Sequence, residues 1–199
     1  MRTRDITHQE TRQRILKSAR HLLLEGGHAG LSLRAVAKEA GFSPAGLYEY
    51  FASKEELVGT LAAEAGASLG SALGRAIPSG ARDRSALVAL GRAYIRWSKQ
   101  SPEDFLLFFS RLPSRRRSDD EATAKASPYG VVLAAVEEAG RAGAVRARGT
   151  KQVERLAYAL WAAAHGAAML QLTHLSGFRA DFASADKALL EALLKGWRG

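Results

Sequence analysis

Between Gly41 and Leu57 the chain reads GFSPAGLYEYFASKEEL, and little more than a turn or two of helix fits between its stop and restart signals. Gly41 closes one helix, since glycine accepts the left-handed backbone of a helix C-terminus. Pro44 suits the first position of the next, where its missing N–H costs nothing. Ser53 and Glu56 form the S-x-x-E pattern of a capping box and start another. A helix over about 44–50 is too short to stand alone, because nucleation is costly and few hydrogen bonds follow it. It must be held by its neighbours, and Leu47, Tyr48 and Phe51 are the side chains placed to pack it on the two helices before it. The first of these, about 8–25, carries Ile15, Leu16, Ala19, Leu22 and Leu23 on one face and ends at Gly26-Gly27. The second is capped by Ser32 and turns Leu33, Val36, Ala37 and Ala40 inward. Two short helices joined by a tight glycine-containing turn make a helix-turn-helix.

The rest of the chain is also helical in pattern, without the β-branched runs or Asn-Gly turns that mark strands. A fourth helix runs from Ser53 to about 76, with Gly66, Gly70 and Gly74 at four-residue spacing as points of close helix approach. PSGARDR (78–84) is a turn. Further helices follow at about 84–101, 103–111, 126–142, 150–176 and 182–197. PSRRRSDDEATAKASP (113–128) is polar with proline at both ends and reads as a mobile loop. The expected fold is all-α: a three-helix helix-turn-helix domain with a short basic N-terminal arm over 1–60, joined to a larger helical domain over 61–199.

Several function classes drop out. The chain has no cysteine, so it has no disulfide, thiolate metal site or cysteine nucleophile, which fits a reducing compartment. The polar, basic start MRTRDITHQETRQR lacks the apolar stretch of a signal peptide, and the expected location is the cytoplasm. Leu156 to Phe178 carries no charged side chain and is long enough to span a bilayer. Its His165, Gln171, Thr173, His174 and Ser176, and its alanine bulk, fit a helix buried in protein instead. No G-x-S-x-G, Walker loop or H-E-x-x-H occurs, and the histidines at 8, 21, 28, 165 and 174 have no metal-like spacing. We expect no enzyme, cofactor, metal or membrane partner.

The formal net charge is +9 and the pI about 10.2. A basic protein favours polyanions, nucleic acid being the commonest. Residues 1–60 contribute little of the excess, holding nine Lys/Arg against seven Asp/Glu. The second helix of a helix-turn-helix enters the major groove, and Ser43, Pro44, Ala45 and Gly46 are small enough to allow close approach. Tyr48 and Tyr50 can offer hydroxyls to phosphates. Tyr48 equally suits a core position with its hydroxyl satisfied. Lys54 reads as a phosphate clamp or a solvated lysine. Arg34 can reach phosphate or a guanine edge. Glu49 reads as solvated; facing DNA, it would have to accept from a cytosine amino group.

Taken together, TRQRILKSARHLLLEGGHAGLSLRAVAKEAGFSPAGLYEYFASKEELV closely resembles the DNA-binding domain of TetR-type transcriptional regulators. Ile15, Ala19, Leu22, Gly30, Leu33, Ala37, Gly41, Leu47, Tyr48, Tyr50, Phe51, Lys54 and Leu57 fall at family-like spacing. The resemblance implies that Ser32, Arg34, Ser43, Pro44, Ala45, Gly46, Tyr48, Tyr50 and Lys54 lie where relatives touch DNA. Position 44 is proline and position 46 glycine where many relatives carry polar or basic base-reading side chains. Direct readout is then thin, with DNA shape or Arg34 sharing the specificity.

LWAAAHGAAML (160–170) resembles the Trp…His-Gly signature in the C-terminal domain of one TetR subgroup. That resemblance implies a homodimer through the last two helices, about 150–176 and 182–197. Ala162, Ala163, Ala164, Gly166, Ala167 and Ala168 would allow close approach there, or would pack inside one subunit. Tyr94, Trp97, Phe105, Phe108 and Phe109 at helical spacing are first a core signal. By resemblance they would line an effector cavity together with Trp161 and His165. His165 reads first as a buried, hydrogen-bonded structural histidine, with a ligand contact or pH switch as the alternative.

The expected function is thus a homodimeric, ligand-responsive repressor released from a palindromic double-stranded DNA operator by a small apolar or amphipathic effector. The rivals are a helical small-molecule carrier or enzyme with a vestigial DNA-binding head, and an activator of the same family.

Overall fold

The computed structural model describes residues 2–78, 80–109 and 127–198, with the side chains of all these except 2–7, 28 and 29. The described elements are α1 (Arg2–Gly30), α2 (Leu33–Ala40), α3 (Pro44–Leu47), α4 (Lys54–Ala76), α5 (Arg84–Gln100), α6 (Pro102–Phe109), α7 (Pro128–Arg141), α8 (Thr150–Leu172) and α9 (Phe182–Lys195). The fold is all-α; among the described residues the β pairing is one isolated bridge between Val145 and Arg198. The expected loop 113–128, with Arg115–Arg117, lies outside the described residues up to 126.

Local chemistry sets the short elements. The Ser32 hydroxyl accepts from the Ala35 N–H at 3.1 Å and starts α2. Gly41 ends it in the left-handed conformation, φ 73°, with its N–H turned back to the carbonyls of Ala37 and Lys38. Ser43 accepts from the Gly46 N–H at 3.0 Å and Pro44 opens α3. Ser53 accepts from Glu56 N–H, while the Glu56 carboxylate reaches back to the N–H of Ala52, one residue before the cap.

Three expectations are corrected here. α1 starts at Arg2 and extends to Gly30, with its backbone leaving helical geometry at Gly27 (φ 59°, ψ −162°). The apolar period begins only at Ile15, but the arginines and glutamines before it are good helix formers and need no buried face. α3 is four residues long, and 48–50 form a turn. α8 ends at Leu172 rather than 176, and Thr173–Gly177 form turns.

The chain divides into two compact units, Met1–Ala65 with Glu103–Ser114, and Gly66–Pro102 with Arg115–Gly199. In this division α6 groups with the head. In the first unit Ile15, Leu16 and Ala19 of α1, Val36 and Ala37 of α2, Leu47, Phe51, Leu57 and Leu61 form the core, and Leu107 of α6 is buried among them. Arg20 of α1 bonds Glu64 of α4 at 2.7 Å and Asp104 of α6 at 2.9 Å. Burial opposes the Arg20 charge, and the bonds to the two carboxylates outweigh it, holding the guanidinium pKa above its ordinary value.

In the second unit α5 is central and packs against α7, α8 and α9. α8 is tied to α9 by the Gln171 amide donating to the buried Asp186 carboxylate at 2.7 Å. The chain end is held by the Arg146 N–H donating to the Trp197 carbonyl at 2.8 Å. Of the glycines expected at helix approaches, Gly74 faces open space.

Candidate functional site

The nine residues expected at DNA all fall in the first unit. Ser32 and Arg34 are exposed at the start of α2, and Ser43, Pro44 and Ala45 are exposed in sequence at the start of α3. Gly46 is half-buried. Tyr48 is 59% exposed, which corrects its placement in the packing of α3; Leu47 and Phe51, both fully buried, hold α3 without it. Tyr50 is half-buried, stacked on His8 with ring centroids 4.5 Å apart and tilted against Phe42 at 6.2 Å. Lys54 is half-buried at the first position of α4. The arrangement is a short exposed helix with an uncharged leading edge, flanked by a tyrosine and a lysine.

Three supporting residues had no signal in the sequence pattern. Arg12 lies over the Phe51 ring at 5.0 Å and Arg14 over the Phe42 ring at 4.7 Å. Sequence counting treats both as loose positive charge in the N-terminal arm. Here they clamp the two aromatics that bracket α3, an attraction between cation and ring face. His8 braces Tyr50 from α1 by ring stacking.

The seven residues expected to line an effector cavity are divided between the two units, three in the first and four in the second. Phe105, Phe108 and Phe109 pack on one another in α6, within the first unit, with centroids 5.1 Å (Phe105–Phe109) and 4.9 Å (Phe108–Phe109) apart. Tyr94, Trp161 and His165 gather in the second. The Tyr94 hydroxyl bonds His165 Nδ1 at 2.9 Å, the Trp161 ring meets Tyr94 edge-on at 4.9 Å, and Tyr129 meets Trp161 at 5.6 Å. Trp97 is buried and donates from Nε1 to the Ser68 hydroxyl at 3.1 Å. A cleft of about 540 Å³ opens elsewhere in this unit, between α7 and the start of α8, over Leu133, Gly140, Ala147 and Val153; none of the seven lines it.

Burial pushes the Tyr94 hydroxyl well above its ordinary pKa and pulls the His165 imidazole below its own. Both are therefore neutral at pH 7, and the hydrogen bond between them is one of two neutral groups. The unfolded chain then binds a proton at His165 more readily than the folded one, so this residue's contribution to stability falls as pH drops below the ordinary imidazole value near ~6.5. Thermal unfolding followed from pH 8 to pH 5 should show this loss, and His165→Gln should flatten the slope. A slope unchanged in His165→Gln would assign the pH sensitivity elsewhere.

A helix-turn-helix head whose second helix presents its outer face to solvent, carried by an all-helical body, defines a DNA-binding regulator. Residues 15–61 match the family described as bacterial regulatory proteins, tetR family. Residues 87–196 match the tetracyclin repressor-like C-terminal domain. The chain belongs to the TetR family of transcriptional regulators. It is 30% identical over 122 residues, 60% of this chain, to the HTH-type transcriptional regulator Rv1816 of Mycobacterium tuberculosis. That match covers 52% of the relative, so the chain spans about half the length of the curated relatives it first matches. Over 50 residues, a quarter of each chain, it is 44% identical to the HTH-type transcriptional regulator UidR of Escherichia coli. A TetR family transcription regulator from Marinobacter aquaeolei VT8 shares the fold, with a TM-score of 0.75 over 99% of this chain and 98% of that one at 20% identity. No described helix is long and apolar enough to cross a membrane.

Proposed function

We propose that the protein is a homodimeric repressor that binds a palindromic operator through α2 and α3, acts in the cytoplasm, and is released by a small apolar or amphipathic effector. The observation that carries this reading is the head itself. α3 is held from behind by buried Leu47 and Phe51, while Ser43, Pro44, Ala45 and Tyr48 face solvent. A helix that exists only because its neighbours hold it, with its outer face free, is built to be inserted into something. Its dimensions suit the major groove.

Self-association through α8 and α9 is supported by what those helices expose. Tyr158, Leu170 and Leu189 are 68%, 50% and 44% exposed, and Ala162, Ala185, Ala188 and Ala192 lie on the same outward faces. Ala164 and Ala168 instead pack inside the subunit. Exposed large apolar side chains gathered on two helices mark a candidate protein contact. Leu189→Lys should place a charge on it and shift the protein to monomer in sedimentation equilibrium, with operator affinity falling as the two heads uncouple. A dimer of undiminished stability would move the interface elsewhere.

Effector release requires unequal affinity for two states. α4 carries residues of both units and is one covalent route between them. Lys54, at its first position, is proposed as a phosphate contact. Lys54→Ala should weaken binding to every sequence and lower the slope of log affinity against log salt by about 0.9 for each phosphate no longer neutralised. An unchanged slope would remove Lys54 from the interface. The test of the whole reading is selection of bound fragments from the host's genomic DNA. A shared palindrome supports it, and binding without a shared motif overturns it.

A further inference from the structure

The leading edge of α3 is chemically unusual for a base-reading surface. From Ser43 to Tyr50 the chain reads SPAGLYEY, with no Arg, Lys, Asn or Gln. Those are the side chains that make bidentate bonds to guanine or adenine edges in the major groove. The Ser43 hydroxyl is engaged in capping, accepting from the Gly46 N–H at 3.0 Å. Gly46 offers no side chain, and a Cβ there would already crowd Ser43 Oγ at 3.3 Å. Exposed beside Ser43 at the front are the Pro44 ring and the Ala45 methyl, which present only C–H groups.

One group in the major groove is matched to such a surface, the C5-methyl of thymine, which no other base carries. Cytosine, adenine and guanine present hydrogen-bonding groups that Pro44 and Ala45 would desolvate without replacing. We infer that Pro44 and Ala45 read thymine methyl groups, so that each operator half-site carries thymine where α3 meets the major groove. The inference rests on the DNA-binding reading above and names what that site selects.

The test uses the full-length protein and the operator recovered by genomic selection, with each thymine of both half-sites replaced in turn by uracil. Uracil removes one methyl and leaves pairing intact. At one or two positions per half-site, affinity should fall about fourfold per methyl, the factor expected for one buried apolar carbon. At those positions a C·G pair should bind poorly and 5-methylcytosine·G should recover part of the deficit. Ala45→Gly should bind more weakly and no longer distinguish thymine from uracil there. The DNA substitutions leave the protein untouched, so the outcome does not depend on any variant folding. A shared motif with no uracil-sensitive thymine overturns this inference alone. So does uracil sensitivity that is undiminished in both Ala45→Gly and Pro44→Ala. Absence of any shared motif overturns the regulator reading and this inference with it.

Discussion

Replacing Gly140 by alanine is expected to cost at least about 3 kcal/mol, the upper end for forcing one methylene into a packed site. Gly140 is the penultimate residue of α7, and a Cβ built there would come 2.1 Å from the carbonyl oxygen of Ala147. The clashing atom is backbone. It sits in the connection to α8, which is itself fixed to the chain end by the bond from the Arg146 N–H to the Trp197 carbonyl. Neither side can yield by a rotamer change, so α7 and the connection must separate. For a chain of this size the loss corresponds to a melting point lower by roughly 6–12 °C. Gly74→Ala is the built-in comparison. It lies in the last turn of α4 with nothing within 4 Å, and should gain at most about 1 kcal/mol from helix propensity. Equal melting points for the two variants would show that α7 and the 147 carbonyl do not approach closely.

Phe51→Ala should act on the head. Phe51 is fully buried, follows the turn after α3, and carries Arg12 on its ring face. Removing a buried phenylalanine costs about 3–5 kcal/mol, and the cation–ring attraction adds something under about 1 kcal/mol. The four residues of α3 cannot remain helical without that support. Specific operator binding should therefore disappear, with a loss of stability read by denaturant unfolding. Tyr48→Ala separates the two effects. Tyr48 is exposed, so its removal should change DNA affinity with little change in stability. Retention of specific binding in Phe51→Ala would mean that α3 is held by something other than its buried neighbours.

The short elements were legible because each is written in local chemistry. Ser32, Gly41, Ser43, Pro44, Ser53 and Glu56 all do what their side chains or backbone freedom dictate within a few residues. The start of α1 was not legible from apolar periodicity, because the stretch before Ile15 is helical by propensity and carries no apolar stripe. Tyr48 was ambiguous because a tyrosine serves equally in a core or on a surface. The bracing of Phe42 and Phe51 by arginines was invisible, because a cation over a ring depends on where separate stretches of chain bring them. Which unit each aromatic of the expected effector group joins was not legible for the same reason. Phe105, Phe108 and Phe109 read alike with Tyr94 and Trp97 as aromatics at helical spacing, yet α6 belongs with the head and α5 with the body.

The burial of Leu107 in the head's core and the tie from Arg20 to Asp104 make the head discontinuous along the gene. A recombination event, or a chimera, that transplants only the codons for Met1–Ala65 carries the whole helix-turn-helix and leaves behind part of what completes it. The recipient body would have to offer its own leucine to the hole and its own carboxylate to Arg20. The unit that can be exchanged intact is two segments of sequence, and the second sits inside the stretch that encodes the body.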